Sequence, residues 1–147
     1  MSDSKRQQII DAIDTRLKTI TVAGGYKTDA GLHVFDWLDR DLKDSELDAI
    51  IYRDRTGNKT METIQEYNNK VIVEFEPKTK AGDDTAKQVR LIIEDIYKAI
   101  GTDDRWGGLA IDTQPTNNEI DIKQSDKVMG SATLTIEIEY LTSKWSF

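Results

Sequence analysis

The sequence has no cysteine, one histidine (His33) and two prolines among 147 residues. Without cysteine there is no disulfide, no thiolate metal site and no thiol nucleophile. A single imidazole excludes any site that needs two, which removes most structural zinc arrangements. No stretch approaches ~18 consecutive apolar residues, so no membrane span is expected. The opening Met1-Ser2-Asp3-Ser4-Lys5 is polar and leads into an amphipathic segment rather than an apolar signal core. The expectation is a soluble protein of the cytoplasm, or one assembled there. Dense runs of Lys and Arg are missing too. The 20 basic residues face 27 acidic ones, a formal charge of −7. An acidic body repels a phosphate backbone, which argues against tight autonomous binding to nucleic acid.

What is present suits one domain over residues 1–147. At this length folding buries roughly 70% of the unfolded chain's surface. Ile10, Ile13, Leu17 and Ile20 fall at steps of three, four and three, one stripe of a helix over about residues 4–20. Ser4 with Gln7 resembles a capping box at its start, and Gly24-Gly25 stops it. Residues 32–37, β-branched and aromatic, read as a short strand. Leu38 to Glu46 is charged and reads as a solvated loop. Ala49 to Tyr52 is a continuous apolar run, a strand covered on both faces. From Arg53 to Asn69 the pattern weakens into a long hairpin arm or a mobile loop, around the turn signal Thr56-Gly57-Asn58. Val71, Val73 and Phe75 then share one face of a strand that Pro77 ends.

A second helix follows. Asp83-Asp84-Thr85 supplies starting chemistry, Ala86, Val89, Ile93, Ile96 and Ile100 form the stripe, and Gly101 is the expected C′ residue. Glu119 to Lys123 alternates weakly, and Ser125-Asp126-Lys127 looks like a turn. Ala132, Leu134, Ile136, Ile138 and Tyr140 face one way along a long half-buried strand. The order is α-β-β-β-α-β-β. The fold class this implies is α+β, a mainly antiparallel sheet with two amphipathic helices on one face.

Catalytic equipment is hard to find. A calcium loop starting at Asp39 has Asp41 at its third position. It then places Lys43 at the fifth, Asp44 at the sixth where Gly belongs, and Ile50 at the twelfth. The pattern fails, which leaves a solvated loop, an ion site of another kind or a partner-facing segment. His33 has no nucleophile-elbow pattern around any Ser to serve. Asp83-Asp84 and Asp103-Asp104 lie about 27 Å apart along one helix at 1.5 Å per residue, so they cannot share an ion. Gly24-Gly25 and Gly107-Gly108 lack the spacing and Lys of a phosphate cradle. No catalytic, metal or cofactor residue is assigned, and the chain is expected not to be an enzyme. Trp37, Trp106 and Trp145 can anchor interfaces, with core packing the fate of at least one.

The whole chain resembles a known family. The residues that carry the likeness are Ile9 to Ile20, His33 to Trp37, Leu47 to Tyr52, Arg105 to Leu109 and the closing strand Ala132 to Tyr140. In this order they resemble the tail terminator, or tail completion, proteins of long-tailed bacteriophages and prophages, over roughly residues 5–141. The departures are the polar stretch Arg55 to Asn69 and the end Ser143 to Phe147.

The resemblance implies a structural virion protein, assembled in the bacterial host cytoplasm. It would form a homo-hexameric ring that caps the tail tube, ends its polymerisation and offers the joining surface for the head-tail connector. DNA would pass through the hole without specific binding, a role the acidic balance suits. Loops commonly carry recognition. The expected interface residues are therefore Asp39, Asp41 and Asp44 of the acidic loop, Arg53, Arg55, Lys59 and Glu62 of the arm at about 53–69, and Trp106 and Trp145. The arm is expected to be dispensable for the fold. The competing classes are a small acidic protein-binding module of host or prophage and a metal-dependent enzyme.

Overall fold

Helix α1 spans Lys5–Leu17 and α2 spans Thr85–Gly101. Five strands follow the expected order: β1 Val34–Asp36, β2 Ala49–Met61, β3 Glu66–Thr79, β4 Asp112–Gln124 and β5 Val128–Ser143. They form one sheet in the order β1-β2-β3-β5-β4. Among the described residues only β1 on β2 is parallel, and every other pairing is antiparallel. The computed structural model describes residues 3–38, 40–124 and 128–147. Asp39 and the expected turn at 125–127 lie outside the described residues.

Both helices cover the same face. Ile9, Ile10, Ile13 and Leu17 of α1 and Val89, Ile92, Ile96 and Ala99 of α2 meet Val71, Val73 and Phe75 of β3 and Leu134, Ile136, Ile138 and Tyr140 of β5. Each buried Val, Leu, Ile or Phe among them contributes roughly 1.5–3 kcal/mol of transfer free energy. The buried line of α2 runs through Ile92, with Ile93 only partly covered. The α2–β5 crossing is close, because a Cβ on Gly130 would stand 2.5 Å from a Thr85 methyl and 2.6 Å from a Val89 methyl.

Several boundaries differ from the sequence reading. At the start of α1, Ser4 Oγ accepts from Gln7 N–H at 3.1 Å, but the Gln7 side chain turns to Asp11 rather than closing the box. The helix ends at Leu17, well before Gly24-Gly25, with Thr19 Oγ1 bonded back to the Arg16 carbonyl at 2.6 Å. Gly31 must then pass the helix end, where a Cβ would lie 2.4 Å from the Leu17 carbonyl oxygen. Gly101 is the last helical residue of α2 rather than a left-handed cap. The carbonyls there are met instead by Arg16, whose Nη1 donates to Ala99, Ile100 and Asp103 oxygens at 3.3, 3.3 and 2.8 Å. A cation at a helix C-terminus also complements the dipole.

Pro77 does not end β3. It stays in register with Ile50 of β2, while the ladder to β5 lapses between Phe75 and Lys78. Proline brings no N–H to that side. The apolar run Ala49 to Tyr52 is buried throughout, as its continuity implied.

Candidate interaction surface

The arm at 53–69 is the outer half of one long hairpin, with β2 and β3 paired from Ala49↔Lys78 to Met61↔Tyr67. A register shift between Asp54 and Thr56 leaves Arg55 out of the ladder. Bulges re-aim side chains, and here Arg53 and Arg55 both reach Glu74, at 3.5 and 3.3 Å. Arg53 also approaches Glu76 at 3.8 Å, and the Arg55 guanidinium lies 5.2 Å from the centre of the Trp37 ring. These charges sit on the sheet face opposite the helices, where Glu74, Glu76, Glu137 and Glu139 follow alternate positions of β3 and β5.

Further out, Lys59 donates to Asn69 Oδ1 and, at 2.7 Å, to the Ser146 carbonyl. Burial and the neighbouring Arg6 cation hold its ammonium below the ordinary lysine pKa. Asn69 is itself buried, and its Nδ2 donates to Tyr140 O at 3.1 Å and Thr142 Oγ1 at 2.9 Å. The base of the arm is therefore tied to β5. Only the end, around Glu62, stands clear, so removing the whole stretch would cost buried hydrogen bonds and the expectation that the fold is indifferent to it is corrected. Trp145 lies beside this end, edge-on to Tyr67 at 6.2 Å and 87% exposed.

Trp106 does not belong to any surface. It is 2% exposed, donates from Nε1 to Thr113 Oγ1 at 2.9 Å and carries the Arg16 guanidinium 4.4 Å from its ring centre. As an interface residue it is corrected to core. The remaining expected residues outside the acidic loop fall in two patches. Arg53 and Arg55 lie near Trp37, and Lys59, Glu62 and Trp145 lie at the hairpin end.

The acidic loop is not a row of free charges. Asp44 pairs with Lys80 at 3.0 Å, Asp48 accepts from Thr79 and from Gln88 at 2.8 Å, and Asp41 is exposed. Glu46 takes both arms of the Arg40 fork at 2.8 Å and the Lys43 N–H at 2.9 Å. Those bonds, the Arg40 fork first, hold its carboxyl at about 2. A carboxyl lowered on folding stabilises the closed loop above its ordinary range, and that contribution is lost as pH falls toward 2. The Glu46 side-chain carbon is accordingly expected to titrate near 2 by NMR. A midpoint in the ordinary glutamate range would mean the fork is open in solution.

The His33 ring meets the Asp48 carbonyl at 3.3 Å from Nδ1. Asp36 is pushed up by burial and then by Asp54, Asp14 and Asp11. Among the described residues no group of three His, Asp or Glu is arranged to hold a metal ion, and no helix is long and apolar enough to cross a membrane.

An uncovered sheet edge is expected from the sequence, but its place at β4 and the groove beside it are not. Strand β4 is an edge strand, paired on one side with β5, whose side chains from Gln114 to Asp121 are all exposed. Between it and the C-terminal half of α2 lies a groove of about 700 Å³. Neither the family models nor the curated proteins compared with this chain give a match.

Proposed function

We propose that this chain is a structural subunit of a phage tail, a terminator that caps the tail tube as a six-membered ring and presents the head-tail joining surface, with no catalytic role of its own. The observation that carries the reading is the pairing of the expected α+β order with surfaces that a lone domain leaves unused. An edge strand of 13 residues, β4, has one side without a partner among the described residues, and unpaired edges of that length invite pairing with another chain. The opposite edge is the three-residue β1, already blunted by its length. The chemistry in the structure serves shape: Glu46, Asp44 and Asp48 each secure a loop. The acidic balance suits a conduit that lets DNA slide. Such a subunit would be assembled in the bacterial host cytoplasm and reside in the virion tail.

The test mixes the purified chain with tail-tube subunits of its phage and follows mass by photometry and shape by electron microscopy. Six-fold rings at tube ends, forming as concentration rises, are the expected result. A fixed dimer with tube present, or a monomer that binds only a host protein, would replace the reading by a protein-binding module. A monomer with turnover dependent on a divalent ion would replace it by an enzyme.

A further inference from the structure

The β2–β3 hairpin ends in an apolar tip. Met61 is 71% exposed and Ile64 is 77% exposed, although the connection between them is well built. Glu62 N–H donates to Glu66 O at 3.1 Å and Glu66 N–H to Thr63 O at 3.4 Å. Two large apolar side chains displayed on an ordered turn are a knob. The groove between α2 and β4 offers a matching hole, whose lining includes Ile100, Ile136, Tyr97 and Pro115.

The tip cannot enter the groove of its own chain. Along β5 the groove lies level with Ile136, opposite Pro115, whereas the tip projects past Ser143, the partner of Glu66. Seven residues of strand at about 3.4 Å each hold them more than 20 Å apart within one continuous sheet. Contact is possible only between copies.

Charge favours one orientation. Glu62 and Glu66 flank the tip, and among the described residues neither has a cation within ion-pair distance. Arg90 shares the helix stripe of Ile93, Tyr97 and Gly101, is exposed, and likewise has no carboxylate within that distance among the described residues. Asp104 lines the groove beyond the C-terminus of α2, whereas Arg90 lies outside the lining, two turns before Tyr97 on the same stripe. An acidic tip therefore enters with its glutamates toward Arg90 and away from Asp104, which fixes register even where it adds little affinity.

We propose that Met61 and Ile64 of one copy seat in the α2–β4 groove of the next. The contact joins two different patches, so it is head-to-tail, the kind that closes into a ring when the rotation permits. Its closure into six rests on the ring reading above.

The absence of cysteine makes the test clean. Chains carrying Ile64→Cys are mixed with chains carrying Asn118→Cys, which pairs with Leu134 and so shares the groove side of β4, under mild oxidation with tube subunits present. The control partner is Asp121→Cys, on the opposite face of the same strand. A cross-linked heterodimer with Asn118→Cys and none with Asp121→Cys is expected, and a chain bearing both Ile64→Cys and Asn118→Cys should give a ladder ending at the full ring. In parallel, Ile64→Asp should weaken self-association at least about ten-fold while leaving the melting temperature unchanged. Rings that form normally with no cross-link above the control overturn the tip-and-groove contact and leave the ring reading standing. Absence of any oligomer with tube present overturns both.

Discussion

Replacing Asp95 by alanine is expected to destabilise the protein by about 3–5 kcal/mol, although among the described residues Asp95 makes no ion pair. It lies on the buried line of α2 and is 1% exposed. Its carboxylate accepts four short bonds from one loop: Thr28 N–H at 2.8 Å, Thr28 Oγ1 at 2.7 Å, and Lys27 N–H at 3.1 and 3.2 Å to the two oxygens. That loop joins α1 to the turn Ala30–Leu32, which leads into β1. Alanine would leave the buried Thr28 N–H and hydroxyl without that acceptor, each costing about 1–3 kcal/mol when isolated, together with the part-buried Lys27 N–H. The three do not add independently, because a loop that loses them together can open to water. For a domain of this size each kcal/mol lowers the melting temperature by about 2–4 °C, so a fall of roughly 10 °C is the expected reading. Amide exchange at Lys27 and Thr28 should accelerate with it. An Asp95→Asn chain keeps one carbonyl oxygen but turns an NH₂ toward the same donors, so it should fall between alanine and the parent. A loss under about 1 kcal/mol for alanine would show that the loop is held by its backbone alone.

Asp95 also illustrates what could be read in the sequence and what could not. The stripe of α2 and the alternation from Ala132 to Tyr140 were legible because one face of each is dry and the other wet. A carboxylate between Ile92 and Ile96 on that dry face was a visible signal, but its partners lie 67 and 68 residues away in a loop with no pattern of its own. The same holds for the pairing of Asp44 with Lys80 and of Asp48 with Gln88. The inner halves of β2 and β3 were legible as apolar runs. Their outer halves were not, because Thr56 to Thr60 are exposed on both faces and hydrophobic periodicity has nothing to report there. What continues these strands is hairpin pairing, with β5 alongside as far as Glu66↔Ser143. Strand β4 was nearly invisible for the related reason that it stands beyond the cover of α2. The groove that follows from this is a property of layer placement, and no local pattern encodes it.

The three tryptophans separate fold from surface most sharply. All three occupy left-handed backbone, with φ of 52° at Trp37, 55° at Trp106 and 62° at Trp145, a region bulky residues enter only when their surroundings hold them there. The surroundings differ. Trp37 is held at its edge by Asp54, which accepts from its Nε1 at 2.8 Å. Trp145 stands in solvent against Tyr67. Trp106 is enclosed, and it is the platform on which Arg16 lies while that guanidinium serves the last carbonyls of α2. Trp106→Ala therefore removes three things together: a large buried side chain, the indole bond to Thr113, and the surface that orients Arg16. The expected loss is about 3–5 kcal/mol from the cavity alone. Arg16 should lose order as well, so the loss should be accompanied by faster amide exchange around Thr102 and Asp103, at the end of α2. Trp145→Ala should leave the melting temperature within about 2 °C, since exposed substitutions usually shift stability by no more than ~0.5 kcal/mol. Thermal melts of the two variants side by side check this. A stable Trp106→Ala chain would move that residue back to the surface, and an unstable Trp145→Ala chain would make the Tyr67 contact part of the core.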